Sequence, residues 1–140
     1  MKNNDKAEVS KDILGKLSNK ADELILNGSS LELSEFVKEL NDSSMHFENK
    51  LDESKFLYIV GNCYQALYKN REMEWYSDDL SKAVIAFRKS LNIANKLKHP
   101  NKEILYFKSC IETNLANLLS AQGRAFCCIP LWDKAISQNN

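Results

Sequence analysis

An all-α protein of about six helices, paired as three antiparallel hairpins, is what the sequence predicts, and three observations predict it. Apolar residues recur at helical spacing along nearly all of the 140 residues. No segment alternates apolar and polar residues between turn signals, as a half-buried strand would. One set of small and large residues also returns at the same steps in separate parts of the chain. A chain of this length buries a sizeable core without disulfides or metals.

The first helix is expected from about Asp5, where Asp-Lys-Ala-Glu has the form of a capping box, with Val9, Leu14, Leu17, Ala21 and Leu24 on one side. Asn27-Gly28 ends it, and Gly28 is expected to supply a left-handed stop. A second capping box, Ser29-Ser30-Leu31-Glu32, opens a helix that turns Leu33, Phe36, Val37 and Leu40 inward, which makes a tight hairpin. Helix three starts near Asp52 and carries Leu57, Val60, Gly61, Tyr64 and Leu67. Helix four starts near Asp79 with Leu80, Ala83, Val84, Phe87, Leu91 and Ala94, and His99-Pro100 closes this hairpin. The segment between them, Lys69 to Asp79, is too long for a minimal helix–helix turn, although Arg71 to Trp75 would fit as an extension of helix three. Helix five runs from about Asn101 to Gln122 on Ile104, Phe107, Ile111, Leu115, Leu118 and Leu119, and a sixth follows. The hairpins span about 5–46, 52–98 and 101–138 within one domain.

The recurring set is specific. Ala21, Leu24, Gly28, Leu33, Val37 and Leu40 are separated by steps of 3, 4, 5, 4 and 3, and Ala116, Leu119, Gly123, Cys128, Trp132 and Ala135 repeat them. The middle hairpin supplies Gly61 and Tyr64, then Ala83, Phe87 and Ser90, with the long insertion between its halves. This code resembles the tetratricopeptide repeat (TPR), in which small residues let two helices cross closely and each hairpin buries its remaining apolar face on the next. "NLANLLSAQGRAFCCIPLWDKAISQNN" is the closest match. The resemblance implies a short right-handed solenoid. Spacings of 40 (Ala21 to Gly61) and 55 (Gly61 to Ala116), with Lys20 and Glu112 at positions the repeat keeps apolar, make it irregular.

Within that code Cys128 stands where a small residue is required and Cys127 on the adjoining position, so the pair reads as packing rather than as a vicinal disulfide or metal site. Two adjacent helical residues point about 100° apart, which suits chelation poorly. Pro130 removes the helix hydrogen bond to Phe126, so helix six either starts late, near Ile129, or bends.

Nineteen basic residues balance nineteen acidic ones, which gives no net field for nucleic acid or anionic lipid. No apolar run reaches the roughly 18 residues of a membrane span, and no signal segment opens the chain, so a cytoplasmic location is expected. The phosphate-cradling, nucleophile-elbow and zinc-protease motifs are missing, and neither His46 nor His99 has a partner context. No enzyme, cofactor or metal is therefore expected. Acidic pairs such as Asp78-Asp79 and Glu72/Glu74 read as solvated helix ends.

The resemblance implies a ligand surface on the concave side, lined by the first helix of each hairpin. Carried across, its positions are Tyr58, Asn62 and Gln65 on helix three and Thr113, Asn117 and Ser120 on helix five, with Asn114 beside them. Asn62 and Asn117 are equivalent, and asparagine there either donates and accepts along an extended peptide backbone or serves local structure. Family members that bind chaperone tails hold a terminal carboxylate with basic residues. Tyr58 takes one of those places, so the groove suits a protein or peptide segment better than an acidic tail. Trp75 and Tyr76, in the insertion, either fold onto the groove edge or anchor a partner. At the C-terminal end Leu131, Trp132 and Ile136 lack a capping helix, which implies self-association or an amino-terminal module of a longer architecture.

The leading reading is a non-enzymatic adaptor that binds a protein segment. Two others follow from the same pattern. The arrangement of hairpins resembles the front part of bacterial proteins that join such repeats to a HEPN-type, RNase toxin-like domain, which would make this chain a sensing or docking module. The R-x4–6-H motif of those nucleases is missing, since no histidine follows Arg71, Arg88 or Arg124 at that distance. A sensor that takes a peptide or small ligand in the groove is the third.

Overall fold

Helices begin in this chain where a side-chain oxygen can take up free N–H groups, and among the described residues four of six helices show that device. The computed structural model describes residues 11–43, 45–71, 76–123 and 125–139, with the side chains of 11, 125–128 and 139 outside that description. The helices are α1 (Lys11–Asn27), α2 (Ser30–Asp42), α3 (Lys50–Asn70), α4 (Asp78–Asn95), α5 (Lys102–Ala121) and α6 (Ala125–Asn139), and no strand occurs among the described residues. The protein is all-α. The proposed start at Asp5 and the contribution of Val9 lie outside the described residues.

Ser29 and Glu32 close the expected capping box, with Glu32 N donating to Ser29 Oγ at 3.1 Å and Ser29 N to Glu32 Oε1 at 2.9 Å. Those bonds, the one from the Ser29 backbone first, hold the Glu32 carboxyl below its ordinary range. Asn49 caps α3 by accepting from Leu51 N and Asp52 N, and Ser77 caps α4 by accepting from Asp79 N and Leu80 N. Asn101 accepts from Ile104 N at 2.9 Å and caps α5. Helices three and four thus start one or two residues before Asp52 and Asp79. The neutral cap, not the charge, marks the boundary.

Two helix ends differ from expectation. Gly28 is not left-handed; among the described residues positive φ is confined to His99 (56°) and Gly123 (77°). Gly28 is needed instead for room, because a Cβ there would lie 2.8 Å from the Leu24 carbonyl oxygen and 2.9 Å from the Leu24 side chain. The left-handed stop belongs to Gly123, after α5, whose N–H reaches the Ser120 carbonyl at 2.9 Å. At the insertion α3 ends at Asn70, and Arg71 leaves helical geometry (φ −102°, ψ −133°). Pro130 lies inside α6, which begins at Ala125, so a start near Ile129 does not occur.

Packing proceeds along the chain: α1 and α2 lie on α3, α3 pairs with α4, α4 lies on α5, and α5 pairs with α6. The first two helices touch each other less than either touches α3, a looser hairpin than the short turn suggested. The α3–α4 seam is the closest. A Cβ on Gly61 would meet the Phe87 ring at 2.7 Å, and seven residues away Ser54 Oγ donates to the Ser90 carbonyl at 2.8 Å while Ser90 Oγ returns a bond to the Ser54 carbonyl at 2.7 Å. Small residues here bring the backbones together, and the fully buried Phe87, Leu67 and Leu80 fill the space around the seam.

The α5–α6 seam holds Glu112, completely buried. Gln138 Nε2 donates to Glu112 Oε1, and Lys134 Nζ stands 3.7 Å from Glu112 Oε2. Burial nonetheless raises the carboxyl above its ordinary value, against the Gln138 hydrogen bond and the charges of Lys134 and Lys108.

Candidate binding groove

One face of α3 presents Asp52, Lys55, Tyr58 and Ile59 at steps of three and four, the spacing that aligns side chains on a helix. With Leu14, Gly15 and Ser18 of α1 and Phe107 of α5 they surround an open cavity of about 360 Å³. A neighbouring hollow of about 250 Å³ lies between α3 and α5 and includes Glu103, Ile104, Tyr106 and Cys110. Both hollows share Lys55, Tyr58 and Phe107, so together they form one groove. Its size is at the lower end for small-ligand or side-chain pockets.

Tyr58 is fixed at the centre of the groove. Its ring meets Phe107 edge-on at 5.4 Å between centroids and Phe87 at 5.6 Å. Asn114 Nδ2 donates to its hydroxyl oxygen at 3.2 Å, and Asn62 stands beside it one turn on along α3. Burial, then the neighbouring Cys110, raises the Tyr58 pKa, so the hydroxyl is a neutral donor and acceptor rather than an anion.

The residues expected on the concave side therefore divide. Tyr58, Asn62 and Asn114 come together across α3 and α5, with Asn114 hydrogen-bonded to Tyr58. Asn117, at the place equivalent to Asn62, instead accepts from Trp132 Nε1 at 3.3 Å and ties α5 to α6. Thr113 and Ser120 are exposed and Gln65 is half-buried, and none of the three lines the groove. Leu14, Gly15, Ser18, Asp52, Lys55 and Phe107 are groove residues that the repeat pattern did not single out. Gly15 carried a readable signal, a glycine within a helical pattern with no turn beside it.

The remaining candidates lie elsewhere. Trp75 is outside the described residues; Tyr76 is 63% exposed and lines neither hollow. Leu131 and Trp132 are partly buried against the core, whereas Ile136 is 61% exposed. Cys63 and Cys110 are free thiols, and burial pushes the Cys63 thiol up to about 12, which leaves it unreactive at neutral pH. The side chains of Cys127 and Cys128 lie outside the described residues. Among the described residues no group of three or more His, Cys, Asp or Glu could hold a metal ion, and no helix is long and apolar enough to cross a membrane.

Compared with known proteins, the chain matches no family model, no curated protein and no solved structure. Any functional reading therefore rests on the groove itself.

Proposed function

We propose that this chain is a non-enzymatic binding module of TPR-like design, working in the cytoplasm, that holds a protein or peptide segment in the groove across α1, α3 and α5. The observation that carries this reading is the groove's construction. Apolar walls from three helices meet at Tyr58, whose ring is clamped by Phe87 and Phe107 and whose hydroxyl accepts a hydrogen bond from Asn114. A rigid aromatic with a fixed polar tip is what recognition surfaces use to gain area without losing side-chain entropy. The close α3–α4 seam at Gly61 and Ser90 and the glycine turn at Gly123 agree with the repeat code from which the groove positions were carried. Balanced charge argues for a protein segment rather than nucleic acid.

The test is affinity capture from the source cell with two baits, the parent chain and a Ser18→Lys/Lys55→Glu variant that alters the groove rim without touching the core. A protein enriched by the parent and lost with the variant, at unchanged helical circular dichroism, is the expected result. Equal recovery by both baits, or recovery of the bait alone, would overturn the groove reading.

A further inference from the structure

Glu32, Asp52 and Asp79 each stand in the first turn of a helix, where negative charge is favoured. Their surroundings differ. Glu32 accepts from Ser29 N, and Asp79, 9% exposed, accepts from Arg71 Nη1 at 2.9 Å. Asp52 is equally buried, at 9% exposure, yet its carboxylate has no hydrogen bond or ion pair among the described residues. It occupies the position of α3 that Glu32 occupies in α2, three residues after the cap, but the Asn49 N–H is not donated to it. Instead Asp52 lines the groove's larger cavity. Its oxygens face that open cavity, and a cation bearing several N–H groups is the partner a carboxylate placed there takes up best.

Gly15 is a second, independent anomaly on the opposite wall. It lies within α1, and a Cβ there would meet nothing within 4 Å, so no contact among the described residues requires glycine. Glycine weakens a helix relative to alanine, and one well-known use is to let another backbone approach closely. Lys55 completes the set: it lines the same cavity, three residues from Asp52, and makes no ion pair among the described residues. Side chains three apart on a helix have Cβ atoms about 5–6 Å from each other. A carboxylate and an amine on one helix face can take the ammonium and the carbonyl oxygen of one amino-acid residue, which a lone basic side chain without an adjacent carbonyl cannot supply.

We propose that the cavity between α1, α3 and α5 binds the free amino terminus of a peptide whose first residue is large and apolar. The ammonium lies on Asp52, the first side chain between Leu14, Ile59 and Phe107, and the first carbonyl on Lys55, with the peptide backbone leaving across Gly15. This rests on the reading of the same face as a peptide groove and names what that groove selects.

The probes are Leu-Gly-Gly-amide, its N-acetyl counterpart, and an end-blocked peptide with one internal lysine, titrated at neutral pH by NMR with the full chain. The free-amine peptide is expected to bind at least tenfold more tightly than the acetylated one. Asp52→Asn should remove that preference, and Gly15→Leu should abolish binding while leaving the melting temperature undiminished. Equal affinity for the free and acetylated peptides, persistence of the preference in Asp52→Asn, or preferential binding of the internal-lysine peptide would each overturn the proposal. Failure of all three peptides would overturn it too. If capture of a protein segment by the parent chain but not by Ser18→Lys/Lys55→Glu then survives, the groove reading stands and only the terminal-amine specificity falls.

Discussion

The closed seams and the open groove each contain a helical glycine and a buried carboxylate, and the chain treats the two sets differently. In the seams, Gly61 is forced by the Phe87 ring 2.7 Å from where its Cβ would lie, and Glu112 takes a hydrogen bond from Gln138 on Oε1 while Oε2, which has no hydrogen bond, faces the Lys134 ammonium at 3.7 Å. In the groove, Gly15 meets nothing within 4 Å among the described residues, and Asp52, with no ion pair among them, opens onto the cavity. The same residue types are structural where the fold itself supplies the partner. Where it does not, the proposed peptide site gives both a common use.

The largest effects should come from breaking the seams. Gln138→Leu removes the hydrogen bond to a fully buried carboxylate, and the expected loss is about 2–3 kcal/mol in urea unfolding at neutral pH. Adding Glu112→Met to that variant should restore most of it, because a packed apolar pair replaces a buried polar one at little net cost. If the single variant loses nothing, Glu112 is satisfied by another route and the contrast with Asp52 weakens. Next in size, Gly61→Ala drives a methyl group into the Phe87 ring and should cost about 1–3 kcal/mol, read from the denaturation midpoint. A Phe87→Leu background should recover part of that loss if the ring is the obstacle.

A smaller effect follows from the protonation of Glu112. Its folded-state pKa is raised above the ordinary 4.5, chiefly by burial. Between 4.5 and the raised value the folded chain holds more protons than the unfolded chain, so this group's contribution to stability falls as pH rises through that window. Acidification toward 4.5 therefore relieves a penalty that is fully present above the folded pKa. Urea midpoints measured from pH 7 down to 4.5 should show this slope in the parent chain and a flatter one in Glu112→Gln. Identical slopes would mean that Glu112 ionises in the seam as it does in the unfolded chain.

How much of this was legible in the sequence depended on whether the signal was periodic. Leu33, Val37, Leu80, Phe87, Ile111 and Leu119 declared themselves by helical spacing, and all are buried. Turn residues were legible as positions but not as conformations: Gly28 and Gly123 occupy equal places in the repeat code, yet only Gly123 is left-handed. Asn62 and Asn117 were also equivalent by spacing. Tyr58 stands one turn before Asn62 on the same helix, a local i,i+4 neighbour, whereas the Trp132 bond to Asn117 is set by the packing of α6 on α5, which no local pattern encodes. The groove was least legible, because Leu14, Asp52 and Phe107 meet only through tertiary packing. Asp52 looked like an ordinary helix-start acid, the role Glu32 and Asp79 do fill.

The smallest expected effect bears most directly on the contrast. Gly15→Ala adds a methyl group into open space on α1, so helix propensity alone should stabilise the chain by about 0.5–1 kcal/mol. For a chain of this length that raises the melting temperature by roughly 2–4 °C, while Gly61→Ala lowers it. The opposite signs of one substitution at two helical glycines would separate a glycine kept for packing from one kept for something outside the fold. A loss of stability at Gly15 would instead give it a structural role within α1, and the groove would then rest on Asp52 alone.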